Sequence, residues 1–221
     1  MPSGAATPSA SFPPPSAAEP PASGASGASG ASGARSSAER IVDAAEECFA
    51  RFGVAKTTVE DVAHAAGMSR ATLYRNFSGG RDELILAVFL RDVGRFLDGL
   101  VANVPAELDP AEAVVAGVLD AVRFVQGEPK FAALFAPEAV GHTHKALAQS
   151  SQRAMDLCAE RVEPYFRAAR DAGLLRPGLE VNGTVEFLFR LISSLSLAPL
   201  DRPEAETAKF LRTYVVPALI P

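Results

Sequence analysis

Residues Thr57 to Phe77 read TTVEDVAHAAGMSRATLYRNF, and the order of apolar residues, hydroxyls and glycine in that stretch decides the fold. Thr58 has the side-chain oxygen of an N-cap, and Val59, Val62 and Ala63 behind it fall on one face at helical spacing. Ala65 and Ala66 are small enough to let a second helix cross closely. Gly67 stands where the chain must reverse through positive φ, a conformation that costs glycine little. Ser69 caps a second helix that turns Leu73 and Phe77 inward and leaves Arg70, Thr72, Tyr74, Arg75 and Asn76 outside or at its edges. This is the layout of a helix-turn-helix, and the outward residues are of the types that read DNA.

The rest of the chain reads as helix throughout. A first helix is expected over Ser37 to Phe52, with Ile41, Ala44, Ala45, Cys48, Phe49 and Phe52 inward, an outer run of Glu39, Asp43, Glu46, Glu47 and Arg51, and Gly53 as its stop. A fourth opens near Arg81 and carries Leu84, Ile85, Val88, Phe89, Val93, Phe96, Leu97 and Leu100 to about Asn103. Further helices follow: one ended by Gly127, a short one from Pro129 to about Phe135, and a long one from about His144 to Ala172 with a kink at Pro164. A loop over 136–141 separates the last two of these, and two terminal helices span about Val181 to Ala198 and Glu204 to Leu219. The fold class is all-α with about nine helices: a three-helix N-terminal domain over 36–80 and a larger helical domain over 81–221.

Composition bounds the function classes. Residues 1–35 are rich in Ala, Ser, Gly and Pro with a repeated SGA triplet, the composition of a disordered tail, and lack the basic start and apolar run of a secretory signal. No stretch reaches the roughly 18 apolar residues that cross a membrane, so a cytoplasmic protein is expected. With 48% hydrophobic residues and a net charge of −5, core material is ample and DNA binding must rest on a local patch. Between Lys56 and Arg81 that patch has Lys56, Arg70, Arg75 and Arg81 against Glu60 and Asp61. Cys48 and Cys158 lack a CxxC partner and read as buried thiols, and His142 and His144 lack a carboxylate or thiolate to complete a metal site. Neither metal nor cofactor is expected. Paired carboxylates, a nucleophile with its base and a phosphate loop are all missing, which argues against an enzyme.

The stretch TTVEDVAHAAGMSRATLYRNF, followed by a helix opening RDEL, resembles the N-terminal domain of the TetR family of bacterial transcriptional regulators over about residues 36 to 90. The sequence departs from the family pattern after Phe77, where Ser78, Gly79 and Gly80 make the link one residue longer and Arg81 replaces the usual lysine. The resemblance implies that Thr58, Arg70, Thr72, Tyr74 and Asn76 touch DNA. It also implies a homodimer through the last two helices, a fourth helix joining the two domains, and an effector pocket in the larger domain. Apolar residues on too many sides of VEFLFRLISSLSLAPL, from Val185 to Leu200, agree with such a subunit contact.

The residue chemistry adds to this. Arg70 can take guanine in bidentate fashion and Thr72 suits thymine, while Thr58, Tyr74, Arg75 and Arg81 offer donors to phosphate, and Ser69 caps the reading helix. Two such heads would grip an inverted-repeat operator in double-stranded DNA, roughly 34 to 36 Å or a multiple of it apart. Phe89, Phe124, Phe131, Phe135, Tyr165, Phe166 and Phe187, with Arg123 as the polar member, are the candidate pocket for a small apolar effector. The expected function is a ligand-responsive repressor. The alternatives are a helical small-molecule-binding protein whose first domain is only structural, and a regulator controlled by a protein partner.

Overall fold

The structure is a computed structural model that describes residues 36–105, 108–134, 144–197 and 201–221, with only the backbone of 132–134 and 144–151. The tail over 1–35, the loop over 136–141, Phe135, His142 and the side chain of His144 lie outside the described residues. Every regular element among the described residues is helical: α1 (Ser37–Phe52), α2 (Val59–Ala65), α3 (Arg70–Asn76), α4 (Gly80–Ala102), α5 (Pro110–Gly127), α6 (Pro129–Leu134), α7 (His144–Asp171), α8 (Val181–Leu197), α9 (Glu204–Phe210), a π-helical turn (Leu211–Val215) and α10 (Val216–Leu219). They fall into two compact units. One holds the described residues up to Val93 with those between Glu128 and Gln152, the other those from Gly94 to Gly127 and from Arg153 to the end.

In the first unit, α1 starts where it does because Ser36 and Glu39 form a capping box: the Ser36 hydroxyl accepts from Glu39 N at 3.1 Å and Ser36 N donates to Glu39 Oε2 at 2.7 Å. It stops at Gly53, whose φ of 82° no β-carbon has to share. The buried face comprises Ile41, Ala44, Ala45, Cys48 and Phe49, which pack with Val59, Val62, Leu73, Phe77, Leu84, Ile85 and Val88 into one core. Phe52, expected inward, is 44% exposed at the helix end, where the Arg51 guanidinium lies 5.0 Å from its ring centroid. The outer acidic run is also less free than its pattern implies, since Arg91 Nη1 donates to Asp43 at 2.7 Å and to Glu46 at 3.0 Å, tying α4 to α1. Lys130 Nζ, at 3.0 Å from Asp92 and 2.8 Å from Glu128, ties α6 to α4, and Phe89 packs on Phe131 at 5.7 Å.

The second unit is built on α5. Val114, Val115, Val118 and Val122 meet Ala208, Leu211, Val215 and Leu219, with Leu188, Leu191, Ile192 and Leu195 of α8 packed against them. Leu211, Val215 and Leu219 recur every fourth residue, which overshoots the α-helical turn of about 3.6 residues, and Pro217 has no N–H to give. The wider π turn accommodates both: Val216 N–H donates to Leu211 O, and the three apolar residues stay in line. α7 continues as helix through Pro164. The end of the chain is held by Arg176, which donates from N to Leu219 O at 2.7 Å and from Nη1 to Pro217 O at 2.8 Å.

α8 buries Val181, Thr184, Val185 and Ser196, and leaves Phe187 and Leu197 40% and 50% exposed. Tyr214, beyond α9, is 69% exposed. Among the described residues no helix is long and apolar enough to cross a membrane.

Candidate nucleic-acid interface

The site begins at two caps. Thr58 caps α2: its Oγ1 accepts from Asp61 N at 3.2 Å and donates to Asp61 Oδ2 at 2.7 Å, while Thr58 N donates to the same oxygen at 2.9 Å. The hydroxyl and N–H of Thr58 hold the Asp61 carboxyl below the usual carboxylate range. Ser69 caps α3, accepting from Thr72 N at 3.1 Å with its Oγ 3.0 Å from the Thr72 hydroxyl. Between them Gly67 turns the chain at φ 65°, and Arg40 Nη2 donates to Ala66 O at 3.0 Å, closing the C-terminal end of α2 from α1.

On α3, Leu73 is the buried anchor, and Arg70, Tyr74, Arg75 and Asn76 are exposed with Thr72 half-buried. Thr72 is the hub of the exposed side. Its hydroxyl accepts from Arg75 Nη2 at 3.0 Å and its carbonyl accepts from Asn76 Nδ2 at 2.8 Å. Arg70 turns back across the turn and pairs with Glu60 of α2. The Tyr74 ring lies against Gly80, where a β-carbon would stand 3.2 Å from Tyr74 Cε1 and where φ is 63°. The longer link is thus a shaped one: Gly80 N donates to Phe77 O at 3.0 Å and Gly79 N to Glu83 Oε2 at 2.9 Å.

Arg81 was expected to face phosphate. Its guanidinium instead donates from Nε to Thr57 O at 3.1 Å and from Nη2 to Val54 O at 2.7 Å, because the loop after α1 leaves those carbonyls without helical partners. Thr57, which the sequence reading passed over, is buried, with its hydroxyl donating to Gly53 O at 2.9 Å and lying 3.2 Å from Cys48 O. Glu60, Asp61 and Arg40 were also missed as members of the site. For Asp61 the signal was present, since a hydroxyl residue followed three positions later by an acid is the spacing of a reciprocal cap.

The expected pocket residues are divided between the two units. Phe89 and Phe131 pair in the first unit. In the second, Phe124 stacks on Phe96 at 4.5 Å and Tyr165 meets Phe166 edge-on at 5.9 Å beside Ala169, Leu174 and Leu175. Arg123 does not turn inward: it is exposed and pairs with Asp120 and, at 3.3 Å, with Glu204, which lie on the same outer side. Phe187 is likewise on an outer face. Phe135 lies outside the described residues. Among the described residues no three His, Cys, Asp or Glu side chains group as a metal site would require. Cys48 is buried, and burial pushes the Cys158 thiol up to about 11.

A short capped helix, anchored by one leucine and set across a glycine turn from its partner, defines a helix-turn-helix DNA-binding protein. Residues 41–88 match the sequence profile of bacterial regulatory proteins of the tetR family. An uncharacterized HTH-type transcriptional regulator of Mycobacterium tuberculosis is 28% identical over 192 residues, which cover 84% of this chain and 86% of that protein. The fold is that of GusR from Salmonella enterica, with a TM-score of 0.53 at 21% identity over 83% of this chain and 95% of GusR. It is also that of FadR from Bacillus subtilis, solved in complex with stearoyl-CoA, with a TM-score of 0.51 at 16% identity over 81% and 98%. The match over 41–88 and the relatives named as HTH-type transcriptional regulators support a TetR-family regulator.

Proposed function

We propose that the chain is a dimeric, cytoplasmic repressor that grips an inverted-repeat operator through α3 and releases it when a small apolar compound binds the larger helical domain. The observation that carries this reading is the exposed row of α3. Arg70, Thr72, Tyr74, Arg75 and Asn76 stand on one capped helix whose inner side is fixed by the fully buried Leu73. Arg70 and Thr72 read base edges, and Asn76 contributes through the part of its amide that Thr72 does not hold. Tyr74 and Arg75 hold phosphates, Thr58 joins them by exchanging its Asp61 partner for phosphate, and Ser69 sets the helix end that faces them. Arg81 fixes the loop behind α2 and is not among the phosphate contacts. The working division is a reading domain over 36–80 and an effector and dimerisation domain over 81–221, with α4 common to both compact units.

The second copy is supported by α8, whose Phe187 and Leu197 are left open in a single chain while the same helix supplies partly buried residues to the core. The apolar character of the effector is supported by Phe89, Phe124, Phe131 and Phe166, which bring rings and no charge.

The test is selection of random duplexes by the purified protein at near-physiological salt. An enriched inverted repeat is the expected result, and Arg70→Ala should lose about 1 to 3 kcal/mol on that site and relax one base position in each half. Enrichment of no sequence would overturn the reading.

A further inference from the structure

Glu60 is the second residue of α2, and its Oε1 holds Nη2 of Arg70, the first residue of α3, across the glycine turn. Both side chains are open to solvent, 49% and 62% exposed, so the pair lies on the outer surface of the two helices. Only Nη2 is engaged by the carboxylate, which leaves donors on Nε and Nη1 and the second hydrogen of Nη2 for a pair of acceptors. A guanidinium paired with a carboxylate is biased toward that side and offers less net charge to an isolated phosphate.

We infer that Glu60 is a specificity-determining positioning residue of the DNA interface: it fixes the Arg70 guanidinium for a base edge with two acceptors and withholds its charge from the backbone. The inference rests on the reading of α3 as the recognition helix. On non-cognate DNA, Arg70 would bring its remaining donors to a phosphate with the Glu60 carboxylate carried against the same backbone, or would leave one anion for another and expose that carboxylate. On a cognate guanine the pair stays intact, because O6 and N7 take donors that Glu60 does not use. Sequence preference therefore comes partly from a residue that touches no base.

The experiment compares wild-type protein, Glu60→Gln, Arg70→Ala and the double variant on the selected operator and on a scrambled duplex across a salt series. Thermal unfolding confirms that each variant is folded. The Asp61 cap of α2 is untouched in all of them. Glu60→Gln should raise scrambled-duplex affinity, steepen its salt dependence by about one phosphate contact, and lower the operator-to-scrambled ratio about two- to fivefold. In the Arg70→Ala background the same change should leave the ratio unaltered. An equal rise on both duplexes would overturn the inference, since loss of a negative charge alone would produce it. So would a ratio change that persists without Arg70, which would mean that Glu60 acts on the DNA directly. Wild-type protein that enriches no duplex would overturn the reading of α3 and this inference with it. Wild-type enrichment with an unchanged ratio in Glu60→Gln would overturn this inference alone.

Discussion

The Arg81 guanidinium and the Thr57 carbonyl, 24 positions apart in the chain, are joined by a 3.1 Å hydrogen bond, and a second donor of the same side chain reaches Val54 O at 2.7 Å. The first turn of α4 thereby fixes the loop that delivers Thr58 to the start of α2. Arg81→Ala should destabilise the first unit by about 1 to 3 kcal/mol, the range for charge-assisted bonds to part-buried carbonyls. Arg81→Lys should recover less than half of that, because one ammonium cannot match the two-pronged geometry. Denaturant unfolding measures both, and the salt dependence of DNA binding should keep its slope in each variant.

Gly80 sits at φ 63° with Tyr74 Cε1 at 3.2 Å from where a β-carbon would be. Gly80→Ala should therefore cost about 1 to 2 kcal/mol from the backbone conformation, plus the displacement of the Tyr74 ring. In a Tyr74→Ala background the steric part should vanish and the backbone part remain. A double-mutant cycle on thermal stability separates the two.

Leu73 is fully buried and joins α3 to the core formed by α1, α2 and α4. Leu73→Ala should cost about 2 to 5 kcal/mol and remove DNA binding, since the exposed row of α3 has no other deep anchor. Hydrogen exchange should locate the loss first in α3.

The Asp61 carboxyl is held below its usual range by the hydroxyl and N–H of Thr58. A carboxylate whose folded pKa is depressed contributes stability that is present above the unfolded value, near 3.8, and lost as pH falls through the folded one. The stability difference between wild type and Asp61→Asn should be constant at neutral pH and close below about pH 4. A gap that widened on acidification would contradict the assigned cap.

Which elements the sequence discloses follows from where their signals sit. The end of α1, the two ends of α2 and the start of α3 are marked by glycines and hydroxyl caps, which are local, so they can be read from Gly53, Thr58, Gly67 and Ser69 alone. Side-chain direction is not local. Arg81 and Arg123 look alike in sequence, yet one meets orphan carbonyls across the fold and the other meets Glu204, 81 positions away. Phe52 and Phe187 follow the apolar period of their helices, and what decides their exposure is whether another element arrives over them. The π turn was hidden because a four-residue apolar spacing reads as helix in either form.

The open face of α8 has a consequence for timing. Were a second copy to cover it, as proposed, the operator would be occupied by pairs, and below the dimer dissociation constant the number of pairs would rise as the square of the number of chains. A modest fall in chain number, as when a cell divides or synthesis pauses, would then release the operator disproportionately. Control by protein supply would accompany control by any bound compound, set by how much apolar surface Phe187 and Leu197 bury between copies.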